Sequence, residues 1–225
     1  MKQRLARAAL EASGLPSLGP ISQSREDETR FASAAEDLLV RAERPSDMSL
    51  VTLLGWIAQC RPVLFHGSTR DDLRTLEPIR RTRDSTPFGD QLAVFAASDP
   101  VWAIYFATLH RGAGFRSTRN GSIGIPDALY PRWYFFSHNV GAELEDRFGD
   151  GWLYVLPRAV FRPEPSRLGV LDSGQWVSQV PVTPLARIGV SPADFPFIEH
   201  VFSHRLDQKM VTTFLRAIRL GRRRR

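Results

Sequence analysis

Residues 63–68 read Val-Leu-Phe-His-Gly-Ser, and residues 92–97 read Leu-Ala-Val-Phe-Ala-Ala. Both are short apolar runs bounded by Pro, Gly, Asp or Ser, the pattern of buried β-strands. The second run leads into Ser98-Asp99-Pro100, which offers an N-cap side chain and a proline suited to the first helical turn. These stretches therefore predict two strands, with a helix carrying Tyr105 directly after the second.

Outward from this centre, further short apolar runs predict strands at residues 132–136, 152–156 and 175–182. Three N-terminal segments, at 2–12, 26–44 and 49–60, have helical spacing of apolar residues or helix start and stop signals. The segment 194–220 is expected to form one closing amphipathic helix. The chain is thus predicted to be an α+β protein with an N-terminal helical extension (1–61), a core (62–196) and a C-terminal helix with a basic tail (197–225).

Composition limits the classes of function. The 225 residues contain one cysteine, Cys60, so neither an intramolecular disulfide nor a thiolate zinc site is available. No window is apolar enough for a membrane span, and the basic N-terminus is interrupted at Glu11 and Ser13 before a signal-peptide core can form. A cytoplasmic protein with no membrane partner is expected.

The formal charge is +6, and nearly all of the 30 cationic side chains are arginines. This balance makes a nucleotide or nucleic-acid partner plausible, although an arginine-rich composition and a solvated Arg222–Arg225 tail explain it equally well. No helix-turn-helix, zinc-finger or aromatic RNA-binding signature accompanies the charge.

His66, Gly67 and Ser68 resemble the His-Gly-Ser/Thr element that ends a strand in poly(ADP-ribose) polymerases and diphtheria-toxin-type enzymes, members of the ADP-ribosyltransferase superfamily. The strand at 92–97 and the helix after it resemble the next element of that family, which places Phe95 at the strand tyrosine and Tyr105 at the helix tyrosine. The resemblance implies a split antiparallel β-sheet core that binds NAD, with His66 on a ribose hydroxyl, the Gly67 backbone on the carboxamide and the two aromatic rings around nicotinamide.

Residues 173–184 resemble the late family strand that opens with a catalytic glutamate. The matching residue here is Gln175, with Gln179 as the second choice by position. An amide can bond a ribose hydroxyl but cannot supply the full negative charge that favours an oxocarbenium-like sugar. A carboxylate from elsewhere, such as Glu143, Glu145 or Asp172, is the open alternative.

The resemblance implies an NAD-dependent ADP-ribosyltransferase that modifies a protein or nucleic acid, with His66, Tyr105 and Gln175 as catalytic residues. The alternative is a catalytically reduced module of the same fold that binds NAD, ADP-ribose or nucleic acid. The related RNA phosphotransferase branch is a third reading, but a matching second histidine and the arginine placement are missing.

Two other chemistries are weaker interpretations. His200 and His204 have the i, i+4 spacing of zinc ligands on a helix, but no third ligand follows by spacing and His-Glu-x-x-His is absent, so no metal is expected. A serine hydrolase is set aside because the chain has no Gly-x-Ser-x-Gly elbow.

Overall fold

The apolar runs at 63–68 and 92–97 form neighbouring antiparallel strands in the computed structural model of the chain. The structure describes residues 1–21, 25–79, 88–112, 114–126, 128–139 and 147–224. The α-helices are α1 (Lys2–Glu11), α2 (Arg25–Glu36), α3 (Leu50–Cys60), α4 (Pro100–Thr108) and α5 (Met210–Arg223). The strands are β1 (Ser17–Leu18), β2 (Val63–Ser68), β3 (Val94–Ala97), β4 (Thr118–Ile123), β5 (Arg132–Asn139), β6 (Gly151–Pro157), β7 (Arg162–Pro163), β8 (Gln175–Ser178), β9 (Ala186–Val190) and β10 (Phe202–His204).

The strands form two sheets. The large sheet has the order β7-β8-β3-β2-β6-β9, with antiparallel pairing throughout. The small sheet is built around β5, which pairs with β4 along one edge and with β1 and β10 along the other. The β5–β10 pair is parallel. The expected α+β class is confirmed, and the predicted strands at 63–68 and 92–97 lie at the middle of the large sheet.

The main hydrophobic core lies between α4 and one face of the large sheet. Strand alternation sends Phe65 to this side, where it joins buried residues of α4 and of β5. Leu53 and Ile57 of α3 are fully buried in the same cluster. The expected N-terminal extension therefore contributes to the core, and no boundary in packing occurs near residue 61.

A buried ionic network joins the two sheets. Arg132 of β5 is fully buried, and its guanidinium donates to Ser122 Oγ at 2.7 Å and to the Asp172 carboxylate at 2.9 Å. Asp99 lies 3.4 Å from Arg132, accepts from Tyr134 Oη and caps α4 through the Trp102 backbone N–H. A buried charge is stable only with such partners. The helix-start residue Asp99 is therefore also an anchor between the sheets.

The C-terminal segment differs from the expected single helix over 194–220. Residues 192–194 and 198–200 form short 3₁₀ turns, residues 202–204 form β10, and α5 begins only at Met210. The local apolar spacing did not reveal β10, because its backbone hydrogen-bonding partner is β5, more than sixty residues earlier. In this segment the pairing of β10 with β5 outweighs the local preference for a helix.

Within the part of the chain that the structure describes, no helix is both long and apolar enough to cross a membrane.

Candidate functional site

His66 lies on β2, in the middle of the large sheet. Its Nδ1 is 2.7 Å from the Phe95 carbonyl oxygen, and its ring is 6.5 Å, centroid to centroid, from the ring of Tyr154. His66 and Tyr154 are opposite each other in the β2–β6 pair, so both project from the face of the sheet that lies away from α4. We call this face the outer face, and it carries the buried residues Leu64, Ala96 and Leu156.

Gly67 meets α4 at the closest approach between that helix and the sheet. A Cβ atom at this position would lie 1.9 Å from the Ala103 carbonyl oxygen and 2.6 Å from the Ala107 nitrogen. No side chain fits in that space. Close packing of α4 on β2 is therefore enough to explain why residue 67 is glycine. The expected role of its backbone in binding a carboxamide remains a separate prediction.

Ser68 is half-buried at the end of β2, opposite Trp152 of β6. Its hydroxyl oxygen accepts a hydrogen bond from the Arg70 backbone N–H at 3.1 Å. Ser68 therefore shapes the turn that leads away from the strand, on the same outer face as His66.

Tyr105 lies on the opposite side of the sheet from His66 and is fully buried. Its ring packs against four aromatic residues, with centroid distances of 4.5 Å to Phe136, 5.2 Å to Phe106, 5.5 Å to Phe195 and 6.2 Å to Phe148. Its hydroxyl bonds Thr118 Oγ1 and, at 2.9 Å, His138 Nε2. The structure thus differs from the expected stacking geometry, because no face of this ring is open to a ligand.

Phe95 and Gln175 belong to β3 and β8, the two strands next to β2 on one side. Phe95 is half-buried, and Gln175 is paired with Ala97. Val94, Ala96 and Trp176 belong to the outer face, so alternation turns the side chains of Phe95 and Gln175 to the α4 side. The three motifs lie on adjacent strands, but the sheet separates the His66 side chain from those of Phe95 and Gln175.

Of the alternative carboxylates, Asp172 lies within the described residues. Asp172 is the ion-pair partner of Arg132, and its Oδ1 accepts from the Gly174 N–H at 2.9 Å. Glu143 and Glu145 lie outside the described residues. Gln179, the second amide considered, is exposed and donates to Gln91 at 3.3 Å.

Glu164 is a carboxylate that the sequence motifs did not indicate. Its backbone N–H donates to the Gln175 carbonyl at 2.8 Å, and its side chain, only 8% exposed, accepts from Ser173 Oγ at 2.6 Å. The Arg167 guanidinium lies 3.1 Å away. The short pairing of β7 with β8 brings Glu164 to this position, and no local sequence signal marks it.

A cavity opens on the outer face beside Tyr154, and His66 is a neighbour of Tyr154 rather than part of the lining. Its volume is about 440 Å³, within the range of roughly 300–1,000 Å³ that is usual for ligand pockets. Tyr154 contributes one wall and donates its hydroxyl hydrogen to the Arg70 carbonyl at 2.8 Å. Arg74 and Arg187 supply the cationic groups of the lining, while Asp71 and Asp72 supply the acidic ones.

The acidic groups of this lining are partly neutralised. The Arg70 guanidinium holds the pKa of the Asp72 carboxyl below its usual value through a hydrogen bond at 2.8 Å. Arg187 lies over the Trp152 ring at 4.6 Å and bonds the Asp71 carbonyl. The cavity therefore has one positioned guanidinium, that of Arg187, and one exposed guanidinium, that of Arg74, and both are donors that a phosphate-bearing anion can use.

His138 and His204 are buried in the small sheet. Burial, followed by the charge of Arg147, lowers the pKa of His138 to about 4, and burial together with Arg119 lowers the pKa of His204 to about 4. Ser117 and Ser137 bond the two ring nitrogens of His204 at 2.8 and 2.7 Å. His204 lies on β10 rather than on a helix, so the helical i, i+4 relation to His200 does not exist. In the described part of the chain no group of three or more His, Cys, Asp or Glu side chains forms a metal site.

Comparison of the chain with protein-family models, curated protein sequences and solved structures gives no match. The structure is that of an α+β protein with two sheets and a cavity on the outer face of the larger sheet.

Proposed function

We propose that the protein is a catalytically reduced ADP-ribosyltransferase-like module that binds NAD or ADP-ribose in the outer-face cavity beside His66. The observation that carries the proposal is the position of His66. It lies on a central strand of the sheet next to Tyr154, and Tyr154 in turn forms part of the wall of a cavity lined by Arg74 and Arg187. The free thiol of Cys60 fits the reducing, cytoplasmic setting in which NAD is available.

The cavity lining suits the diphosphate of such a ligand. Guanidinium groups form charge-assisted, bidentate hydrogen bonds with phosphate oxygens. Arg74 is exposed at the rim, whereas Arg187 is held in place by the Asp71 carbonyl and by the Trp152 ring. A preorganised cation costs less side-chain entropy on binding than a free one. Arg187 is therefore the principal anchor for the diphosphate, and Arg74 is the secondary one.

The structure gives two reasons to expect weak transfer of the sugar. Gln175 is neutral and points to the α4 side of the sheet, so it brings no negative charge to the His66 side. Tyr105 is enclosed by aromatic side chains and cannot stack on nicotinamide. Binding without efficient chemistry is the function that these two positions favour.

The second candidate is an active NAD-dependent transferase with a protein or nucleic acid as acceptor. The buried carboxylate of Glu164 favours it, since its side chain accepts a hydrogen bond from Ser173 and its backbone N–H donates to the Gln175 carbonyl. A carboxylate in this place can stabilise a positively charged sugar if the ligand extends around the end of β8.

Calorimetric titration with NAD and with ADP-ribose tests the proposal. We expect the unaltered protein to bind at least one of them, and the affinity to fall by about tenfold or more in Arg187→Ala, since each charged hydrogen bond contributes about 1.5–3 kcal/mol. His66→Ala should weaken binding to a similar degree. His110→Ala is the matched control, because His110 is exposed and its contact is with the Asp150 carbonyl.

Release of nicotinamide from NAD separates the two candidates. We expect no release above the buffer rate and no gain in Gln175→Glu, because the new carboxylate would face the α4 side of the sheet; a gain would contradict that orientation. Release that disappears in Glu164→Gln would establish the transferase instead. Failure of NAD and ADP-ribose to bind at millimolar concentration would refute both.

A further inference from the structure

The α5 helix carries the densest positive charge in the described part of the chain. Lys209 precedes it, and Arg216, Arg219, Arg222, Arg223 and Arg224 follow within fifteen residues, with no Asp or Glu between 208 and 224. We call the outward-facing side of α5 with these arginines the α5 surface. It is well separated in sequence from the cavity residues and takes no part in the proposed NAD site.

Within the described part of the chain, neighbouring carboxylates do not neutralise these arginines. Among the described residues, no ion pair involves any of the five arginines of the α5 surface. The two nearest acidic residues in the chain are Glu199 and Asp207, and Asp207 is paired with Arg205 at 3.0 Å. The surface therefore keeps its full positive charge and attracts an anionic partner.

Three of the arginines are positioned by the protein through backbone carbonyls. Arg216 donates to the Ser203 carbonyl at 2.8 Å, Arg222 to the Ala12 carbonyl at 3.3 Å and Arg224 to the Glu199 carbonyl at 2.5 Å. Each bond uses only part of the guanidinium, which has five N–H donors. The remaining donors stay available at a fixed place on the surface.

The helix geometry sets these charges in a row. Thr213, Ala217 and Gly221 are the buried positions of α5, so the opposite side faces outward. Arg216, Arg219 and Arg223 lie on that outward side at intervals of three and four residues, and they span about 10 Å along the axis. A row of guanidinium groups at this spacing suits successive phosphates of a polymer better than it suits one small anion.

We infer that the α5 surface binds nucleic acid through its phosphate backbone, without reading the base sequence. The inference goes beyond NAD binding and does not require it. Phosphate contacts from arginines give affinity that is independent of sequence and falls steeply with salt. If the transferase alternative holds, this surface also assigns nucleic acid as the acceptor class.

An anionic membrane surface is the competing partner, because Val211 and Leu215 are 68% and 58% exposed. An interfacial helix, however, inserts a whole apolar face between the lipids. Here the apolar face of α5 is packed on the protein through Ala217 and its neighbours, and only the first half of the helix exposes apolar groups. The geometry therefore favours nucleic acid.

Fluorescence anisotropy with a labelled 20-base-pair DNA duplex of mixed sequence tests the inference. We expect binding in 50 mM salt, with a Kd that rises steeply as the salt increases. In Arg219→Glu, Arg223→Glu the affinity should fall by about tenfold or more, and the slope of log K against log salt should be smaller by about 2. The variant Arg219→Lys, Arg223→Lys should keep most of the affinity.

The control for charge is Arg30→Glu, Arg41→Glu, which has the same net charge and alters two exposed arginines of another region. It should bind like the unaltered protein, and an equal loss in both reversal variants would overturn the inference. Absence of duplex binding in 50 mM salt would overturn it as well.

A separate experiment tests binding to an anionic membrane. Co-sedimentation with vesicles of phosphatidylglycerol, lost in Val211→Ser, Leu215→Ser, together with no duplex binding, would assign the surface to lipid. NAD titration of the same variants should be unchanged, so failure of the nucleic-acid inference and failure of the NAD proposal are observed separately.

Discussion

The structure contains two histidine–tyrosine pairs on opposite sides of the large sheet. Tyr154 lines a cavity, and its neighbour His66 is half-buried. His138 and Tyr105 are buried among phenylalanines, with Tyr105 Oη 2.9 Å from His138 Nε2. Similar side chains thus have different surroundings, and the surroundings decide which pair can meet a ligand.

Burial also sets the chemistry of the inner pair. It raises the pKa of the Tyr105 hydroxyl and lowers the pKa of His138 to about 4. Both groups are then neutral near pH 7 and bond each other within the core, while the buried His138 Nδ1 has no hydrogen-bond partner among the described residues. In the outer pair His66 is half-buried and Tyr154 is 1% exposed. A tyrosine on a helix near a histidine motif is therefore insufficient to define a nicotinamide site.

The largest expected effect is that of Tyr105→Ala on the stability of the protein. Loss of a large aromatic side chain from a packed core costs about 3–5 kcal/mol, so the free energy of unfolding in urea should fall by this amount. A cost below about 1 kcal/mol, as at an open ligand-binding position, would break the distinction between the two pairs.

Burial lowers the pKa of His204 as well, and the second expected effect is the part of the pH dependence that is due to His138. Its pKa in the folded protein is about 4, below the ordinary 6.5, so the unfolded chain binds a proton more tightly. The contribution to stability is complete above pH 6.5 and is lost as the pH falls towards 4, by up to about 3 kcal/mol.

Urea unfolding at pH 7 and at pH 4.5 measures this loss in the unaltered protein and in His138→Gln. The variant should lose less stability between the two pH values, because it has no imidazole to protonate. His110→Gln, which changes an exposed histidine, should behave like the unaltered protein. Equal pH dependence in all three proteins would show that His138 does not contribute to the loss of stability at low pH.

The smallest expected effect is that of Tyr154→Phe. The substitution removes the hydrogen bond to the Arg70 carbonyl and keeps the ring, so the cost should be about 1 kcal/mol. Urea unfolding measures it, with Tyr105→Phe as the matched substitution. Tyr105→Phe should cost more, because it leaves the buried His138 Nε2 without its Tyr105 contact. The reverse order would contradict the assignment of Tyr154 to the more open pair.

The fold class and the central strands were predictable from local patterns. The apolar run at 63–68, the run at 92–97 and the Asp99-Pro100 helix start are each visible within a few consecutive residues. Strands β1, β4, β7, β9 and β10 were not predicted. The polar residues of Thr118–Ile123 hide a strand that is defined by its pairing with β5, and β10 likewise exists because β5 offers a free edge.

The candidate site was predictable only in part. His66, Phe95 and Gln175 do lie on adjacent strands, but the side of the sheet that each one faces depends on register, and a change of one residue reverses it. Tyr154 and Glu164 were not identified, since Tyr154 pairs with a residue 88 positions earlier and Glu164 depends on the short β7–β8 pairing.

By itself, the sequence determined the α+β class, the helix that begins at Asp99, the three candidate motifs and the positive charge of the C-terminal segment. These features depend on neighbouring residues, whose spacing and chemistry are visible along the chain. Only the tertiary structure decided that Tyr105 is a core residue, that the close approach of Ala103 leaves no room for a side chain at Gly67, and that His66 shares a face with Tyr154. Those outcomes depend on strand pairing and helix packing between distant segments, which local sequence does not specify.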